Sequence, residues 1–141
     1  MDFRLDPADQ AIQARTREFA ERHLFPYELE CEERQGLSKT SLGAIRRAVK
    51  EYRLNAYNHR KEDGGPGYTP LQQLLIHEEL GKATCGLWAV VWTATLPLRH
   101  GTEQQRRDYL LPIIAGKRRC CYAITEPEAG CSTENGADGP A

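Results

Sequence analysis

Apolar positions along this chain recur mostly at helical spacing, and the punctuation between them places the elements. Ile12, Thr16, Phe19, Ala20 and His23 fall on one stripe. Asp6 sits before that stripe as an N-cap, Pro7 takes the first helical position, and Pro26 ends the run. Residues 27–35 predict a second, more acidic helix stopped at Gly36. Ser38 or Ser41 opens a third, with Leu42, Ile45, Val49 and Tyr52 inward and Arg46, Arg47 and Lys50 outward. Thr69 and Pro70 form an N-cap and first-position pair for a fourth helix carrying Leu71, Leu74, Leu75 and Ile76. Residues 86–98 are apolar on every face, which predicts a helix enclosed by the others. Pro97 kinks or ends it, and Trp88 and Trp92, four residues apart, read as core packing there. The last helix opens at Thr102, whose spacing to Gln105 is that of a capping box. It carries Tyr109, Leu110, Ile113 and Ile114 and stops at Gly116.

After Gly116 the pattern changes. Residues 120–124 are β-formers, and Thr125, Glu126 and Pro127 end the extended run. The pattern therefore predicts an all-α fold: an antiparallel bundle of about six helices, with the 86–98 helix at its centre and one short C-terminal β-run. Residues 1–118 form the helical domain, 119–131 begin a further domain, and 132–141, with no large apolar residue, read as a disordered tail. The clearest loop is NHRKEDGGPGY at 58–68, charged and then rich in glycine and proline.

Composition narrows the function classes. With 141 residues, 40% hydrophobic and 28% charged, the chain fits a soluble globular protein with a single core. A net charge of -1 argues against a nucleic-acid partner, which needs a concentrated basic surface. The N-terminus carries acids and no apolar run, so no targeting leader is expected, and the apolar window is too short for a membrane span. Five cysteines with no CxxC spacing read as reduced thiols of a cytoplasmic protein and predict no metal site.

The segment GTEQQRRDYLLPIIAGKRRCCYAITEPEAG, residues 101–130, closely resembles the middle of flavin-dependent acyl-CoA dehydrogenases. In that family a GTEEQ-type helix leads into a T-E-P-x-A-G-S-D stretch lying against the flavin. Residues 1–26 are similar to the family's opening helix and its proline stop, and DGGPGYTPLQQLLIHEELGKA to its GGPG loop and E-E-L-G helix. The similarity covers residues 1–131 in the family's order and spacing.

The resemblance implies FAD as cofactor, an acyl-CoA thioester as substrate, and α,β-dehydrogenation as the parent reaction. It also implies roles: Tyr122, Ile124, Thr125, Gly130 and Cys131 as flavin-lining positions, with Cys131 also near the bound thioester. A flavin ring presents carbonyl oxygens and nitrogens along one polar edge that a protein must pair, and a β-run with a threonine hydroxyl supplies such groups. The family's G-S-D reads Gly130, Cys131, Ser132 here, which puts a weak thiol donor where a hydroxyl is expected. The family's fold continues into a β-barrel domain and a second helical domain with the glutamate base. These 141 residues are therefore expected to be a truncated member, inactive alone, with no catalytic residue of its own. A homo-oligomer or a complementing chain is the expected partner. The rival reading is a non-catalytic helical assembly module or a non-functional remnant.

Other residues have plainer readings. Glu78 and Glu79 are helix neighbours pointing about 100° apart, which suits solvated or helix-pairing charges better than a catalytic pair. Lys117, Arg118 and Arg119 could meet a phosphate, but a solvated corner between helix and strand is the simpler expectation. The four histidines have no metal-ligand spacing.

Overall fold

The computed structural model describes residues 4–121. Its regular helices are α1 (Pro7–His23), α2 (Glu28–Arg34), α3 (Lys39–Glu51) and α4 (Pro70–Leu80). A fifth helical stretch runs through α5 (Glu103–Gln105), a π-helical turn (Arg106–Leu110) and α6 (Leu111–Ile114).

Local chemistry sets the helix ends where the sequence places them. The Asp6 carboxylate accepts from the Asp9 N–H at 2.8 Å and caps α1. Of the two serines, Ser38 is the cap of α3, accepting from the Ser41 N–H at 3.1 Å. Glu30 of α2 accepts from the Ser38 N–H at 2.9 Å and the Ser41 hydroxyl at 2.6 Å, which ties α2 to the start of α3. Those bonds, that of Ser41 foremost, hold its carboxyl below the usual carboxylate range. Thr69 and Gln72 close a capping box on α4, and Gln72 reaches on to Asp9 of α1 at 2.9 Å.

The main core lies between α1, α3, α4 and the loops beside them. Phe19, Leu24, Ile45, Val49, Leu54, Ile76 and Leu87 are fully buried there. Phe19 makes ring contacts with His23 and Tyr52. A smaller cluster of Ala56, Ala94, Leu110, Ile113 and Ile114 packs under the last helical stretch, and Trp92 bridges the two. On α4 the inward face is Leu75, Ile76, Glu79 and Leu80, so Leu71 and Leu74 do not face the core as the spacing suggested. Leu74 is 62% exposed.

The 86–98 stretch departs most from expectation. It is not a helix enclosed by others: it forms two short 3-10 turns, Leu87–Val90 and Leu96–His100, with Val91 extended at φ -78 and ψ 91 between them. The cause is where its carbonyls go. Trp92 O accepts from the Ala56 N–H at 3.0 Å, Thr93 O from the Cys120 thiol at 3.5 Å, and His59 Nε2 lies 3.0 Å from Ala94 O. Backbone groups committed to other segments cannot close helical turns, and the β-branched Val90, Val91, Thr93 and Thr95 favour that outcome. The about-six-helix bundle is corrected accordingly. There is also no strand among the described residues: Cys120 and Cys121 have no regular structure, and the rest of the expected β-run lies outside the described residues.

The glycine-rich loop folds over a buried histidine. His59 is 1% exposed, and its carbonyl accepts from the Gly67 N–H at 3.0 Å. A Cβ on Gly65 would stand 2.5 Å from His59 Cβ and O, so no larger residue fits there without backbone movement.

Candidate functional site

The last helical stretch decides how the chain enters the segment that carries the expected flavin contacts. Thr102 accepts from the Gln105 N–H at 3.2 Å, and Gln105 Oε1 accepts from the Thr102 N–H at 2.8 Å, the box read from the spacing. Pro112 has no N–H, so the Asp108 carbonyl four residues back lacks its helical donor. The Leu111 N–H bonds to Arg106 O, a π-type closure, and the freed Asp108 carbonyl accepts instead from the Arg118 guanidinium at 3.0 Å. Arg118 also lies 5.8 Å from the Tyr109 ring centroid.

Gly116 turns the chain at φ +70, and its N–H bonds to Ile113 O at 2.8 Å. A Cβ there would stand 2.5 Å from Trp92 Cζ2. The indole N–H donates to Ile113 O at 3.2 Å, and the Asn55 amide donates to Ile114 O at 2.8 Å. The corner from Gly116 to Cys121 is thus tied to the core by Trp92, Asn55 and Arg118. Every flavin-lining residue expected from the sequence (Tyr122, Ile124, Thr125, Gly130 and Cys131) lies outside the described residues.

Clefts around this corner are small. One of about 270 Å³ is lined by Cys31, Leu42, Leu87, Val90 and Arg119, and two of about 170 and 140 Å³ flank Trp92. Ligand sites typically occupy about 300–1,000 Å³ and cover most of the ligand. None of the three is large enough to enclose a flavin; the described residues offer at most one wall for it.

Two buried carboxylates each meet two cations: Glu79, for which the sequence suggested a solvated or helix-pairing role, and Asp63, which the sequence did not single out. Glu79 is fully buried and takes Arg17 at 3.0 Å and Lys82 at 2.6 Å, whereas its neighbour Glu78 is exposed and accepts from Gln13 at 3.1 Å. The two diverge as the helix geometry requires, and Glu79 is the helix-pairing charge. Asp63, at the foot of the glycine loop, is buried and takes Arg106 at 3.0 Å and Arg99 at 3.4 Å. Each carboxylate is neutralised by two cations, which suits a structural clamp and not a proton acceptor. Nothing near Asp63 in the chain announces partners 36 and 43 residues away.

A second unforeseen pairing joins the Tyr57 hydroxyl to His77 Nε2 at 2.9 Å, in a cleft of about 250 Å³ with Leu80, Gly81 and Trp88. Burial pushes the Tyr57 phenol above its usual range. No group of three His, Cys, Asp or Glu among the described residues could hold a metal, and no helix among them is long and apolar enough to cross a membrane.

Comparison with known proteins agrees with this architecture. The profile of the acyl-CoA dehydrogenase N-terminal domain matches residues 6–117. A short-chain-specific acyl-CoA dehydrogenase of Clostridium acetobutylicum is 32% identical over 97% of this chain and 36% of its own length. The mitochondrial short-chain enzyme of Bos taurus is 25% identical over 89% of this chain and 31% of its own. A solved structure described as an electron transferring flavoprotein of Acidaminococcus fermentans superposes with a TM-score of 0.73 at 30% identity. That likeness covers 92% of this chain and 34% of the other. The chain spans about a third of the length of the curated relatives it matches. With its N-terminal helices matched from residue 6 to residue 117, the chain belongs to the acyl-CoA dehydrogenase family.

Proposed function

We propose that this chain supplies the N-terminal helical domain, and the first flavin-contacting segment, of an FAD-dependent acyl-CoA dehydrogenase. The observation that carries the reading is the family match over 6–117, followed in the sequence, after residues 118–121, by YAITEPEAG at 122–130. The parent activity would be α,β-dehydrogenation of an acyl-CoA thioester. When bound, the flavin supplies acceptance of the β-hydride.

This chain's own contribution is positional. Tyr122 and Ile124 would offer an apolar wall and main-chain pairing, Thr125 a hydroxyl, and Gly130 close backbone approach, with Cys131 near the thioester. The α-proton needs a carboxylate base that Glu79 and Asp63 cannot provide, since both are committed to cations. These 141 residues by themselves are therefore expected to be inactive, with the base to come from the family's further domains.

The test is to purify the 141-residue chain, read its visible flavin absorbance, and assay dye reduction with acyl-CoAs of several lengths. We expect a colourless, inactive protein. Adding the remaining domains of a related dehydrogenase should restore flavin retention, and Thr125→Val should weaken it. Stoichiometric FAD or turnover in these 141 residues alone would refute the expectation that they need further domains.

A further inference from the structure

Among the described residues, the buried carboxylates Glu79 and Asp63 are matched by cations. Arg17 and Lys82 meet Glu79, and Arg99 and Arg106 meet Asp63. One cleft breaks that pattern. It lies between α3 and the corner after α6, has a volume of about 170 Å³, and is lined by Arg46, Trp92, Gly116, Lys117, Arg118 and Arg119. Every charged residue on its wall is a cation.

Arg118 is engaged by the Asp108 carbonyl and the Tyr109 ring. The others are not. Arg46 Nε is buried without a hydrogen-bond partner among the described residues. Burial, and then the positive charge of Arg119, push the Arg46 guanidinium below its usual range. Lys50, one turn beyond Arg46 on α3, stands beside Gly116 at the cleft's edge: its Nζ lies 3.3 Å from where a Cβ on Gly116 would stand. No carboxylate among the described residues pairs with Arg46, Lys50, Lys117 or Arg119.

An unrelieved convergence of like charges raises the free energy of the folded state, and a buried donor without a partner adds to it. A bound oxyanion removes both costs. Guanidinium forks match tetrahedral oxyanions, since each can donate two parallel N–H bonds, and lysine adds a point charge. The volume sets the size of the guest. A phosphoryl group takes the space of about three waters, on the order of 90 Å³, so one such group fits and a whole nucleotide does not.

We propose that the cleft between Arg46, Lys117 and Arg119 binds a single phosphate group. The group is either free inorganic phosphate or the terminal monoester phosphate of a larger ligand whose remainder stays outside. The basic run at 117–119, a plain solvated corner when read along the chain, becomes a site because α3 brings Arg46 and Lys50 against it. The site does not depend on the flavin reading, because none of its residues belongs to the expected flavin segment.

The experiment is calorimetric titration of the 141-residue chain with inorganic phosphate at low ionic strength, with thermal unfolding as a second readout. We expect saturable binding, a rise in melting temperature with phosphate, and weakening as salt increases. Arg119→Gln and Arg46→Gln should each weaken phosphate binding by about tenfold or more, since each removes a charge-assisted bond. Arg107→Gln, an exposed change away from the cleft, should leave it unchanged. If Arg46→Gln does not fold, the exposed pair Lys117→Gln and Arg119→Gln carries the same test. Coenzyme A competing with phosphate where its 3′-dephospho form does not would assign the monoester; competition by neither would assign free phosphate. Absence of phosphate binding would overturn the proposal, as would equal binding by the Arg119→Gln and wild-type chains. Binding that emerges only after Glu126→Gln and Glu128→Gln would also overturn it, by showing that the chain's own carboxylates fill the cleft.

Discussion

The α1–α4 pair and the 86–101 stretch both border the same core, yet they satisfy their backbones in opposite ways. α1 and α4 keep their N–H and C=O groups within each helix and use side chains as cross-links: Gln72 to Asp9 and Glu79 to Arg17. In the 86–101 stretch, the carbonyls of Trp92, Thr93 and Ala94 face groups from residues 56, 120 and 59. The first region is a self-sufficient scaffold. The second is a junction whose shape depends on three distant segments, and it holds the corner that precedes the expected flavin segment in the sequence. A domain of this size is stable by about 5–15 kcal/mol, so changes in the two regions should separate clearly.

The largest effect is expected in the scaffold. Phe19 is fully buried and contacts the rings of His23 and Tyr52. Phe19→Ala removes that packing and leaves a cavity, at a cost of about 3–5 kcal/mol. Chemical denaturation should show a greatly reduced midpoint or no cooperative transition. A loss below about 1 kcal/mol, the level of a surface substitution, would mean that α1 is not packed as described.

The same contrast explains what the sequence disclosed. Helix starts were legible because caps are local: Asp6, Ser38, Thr69 and Thr102 each act on an N–H three residues away. The stripe on α1 was legible for the same reason. Where the apolar pattern had no polar face, as in 86–98, it could not distinguish a buried helix from an irregular strand of core, and long-range hydrogen bonds decided the matter. Leu71 and Leu74 misled because spacing identifies a stripe but not which of two stripes the neighbours cover. Asp63 and the Arg46 cleft were invisible because their partners lie tens of residues away. The expected flavin residues within 122–131 rest on family resemblance and lie outside the described residues.

A middle-sized effect should distinguish the α1–α4 cross-link from simple packing. Burial pushes the Glu79 carboxyl up, but hydrogen bonds and charge from Arg17 and Lys82 outweigh it and hold the group below the usual carboxylate range. A carboxyl with a lowered folded pKa stabilises the fold fully above its unfolded pKa, and that contribution is lost as pH falls through the folded value. Stability should hold between pH 7 and about 5 and fall below about 4.5. Glu79→Gln should lower stability at pH 7 by about 1–3 kcal/mol and flatten the acid limb. The cost stays below that of Phe19→Ala because Arg17 and Lys82 are half exposed and regain water when the carboxylate is lost. An unchanged acid limb in Glu79→Gln would show that other groups set it.

The smallest effect is expected at Trp88, and it probes the junction most sharply. The apolar run makes Trp88 and Trp92 look equivalent, both core residues of one helix. In the structure Trp88 is 53% exposed beside Tyr57 and His77, whereas Trp92 is half-buried, bonded to Ile113 O and pressed on Gly116. A large exposed aromatic loses little when truncated, since most of its surface already meets water. Trp88→Ala should therefore shift unfolding by no more than about 0.5 kcal/mol. Trp92→Ala should cost several times more and loosen the corner at Gly116. The pair of measurements separates the two descriptions of 86–98. Equal, large losses would restore a buried helix with both rings inside. A loss at Trp88 that grows with protein concentration would instead show that a second copy covers the ring.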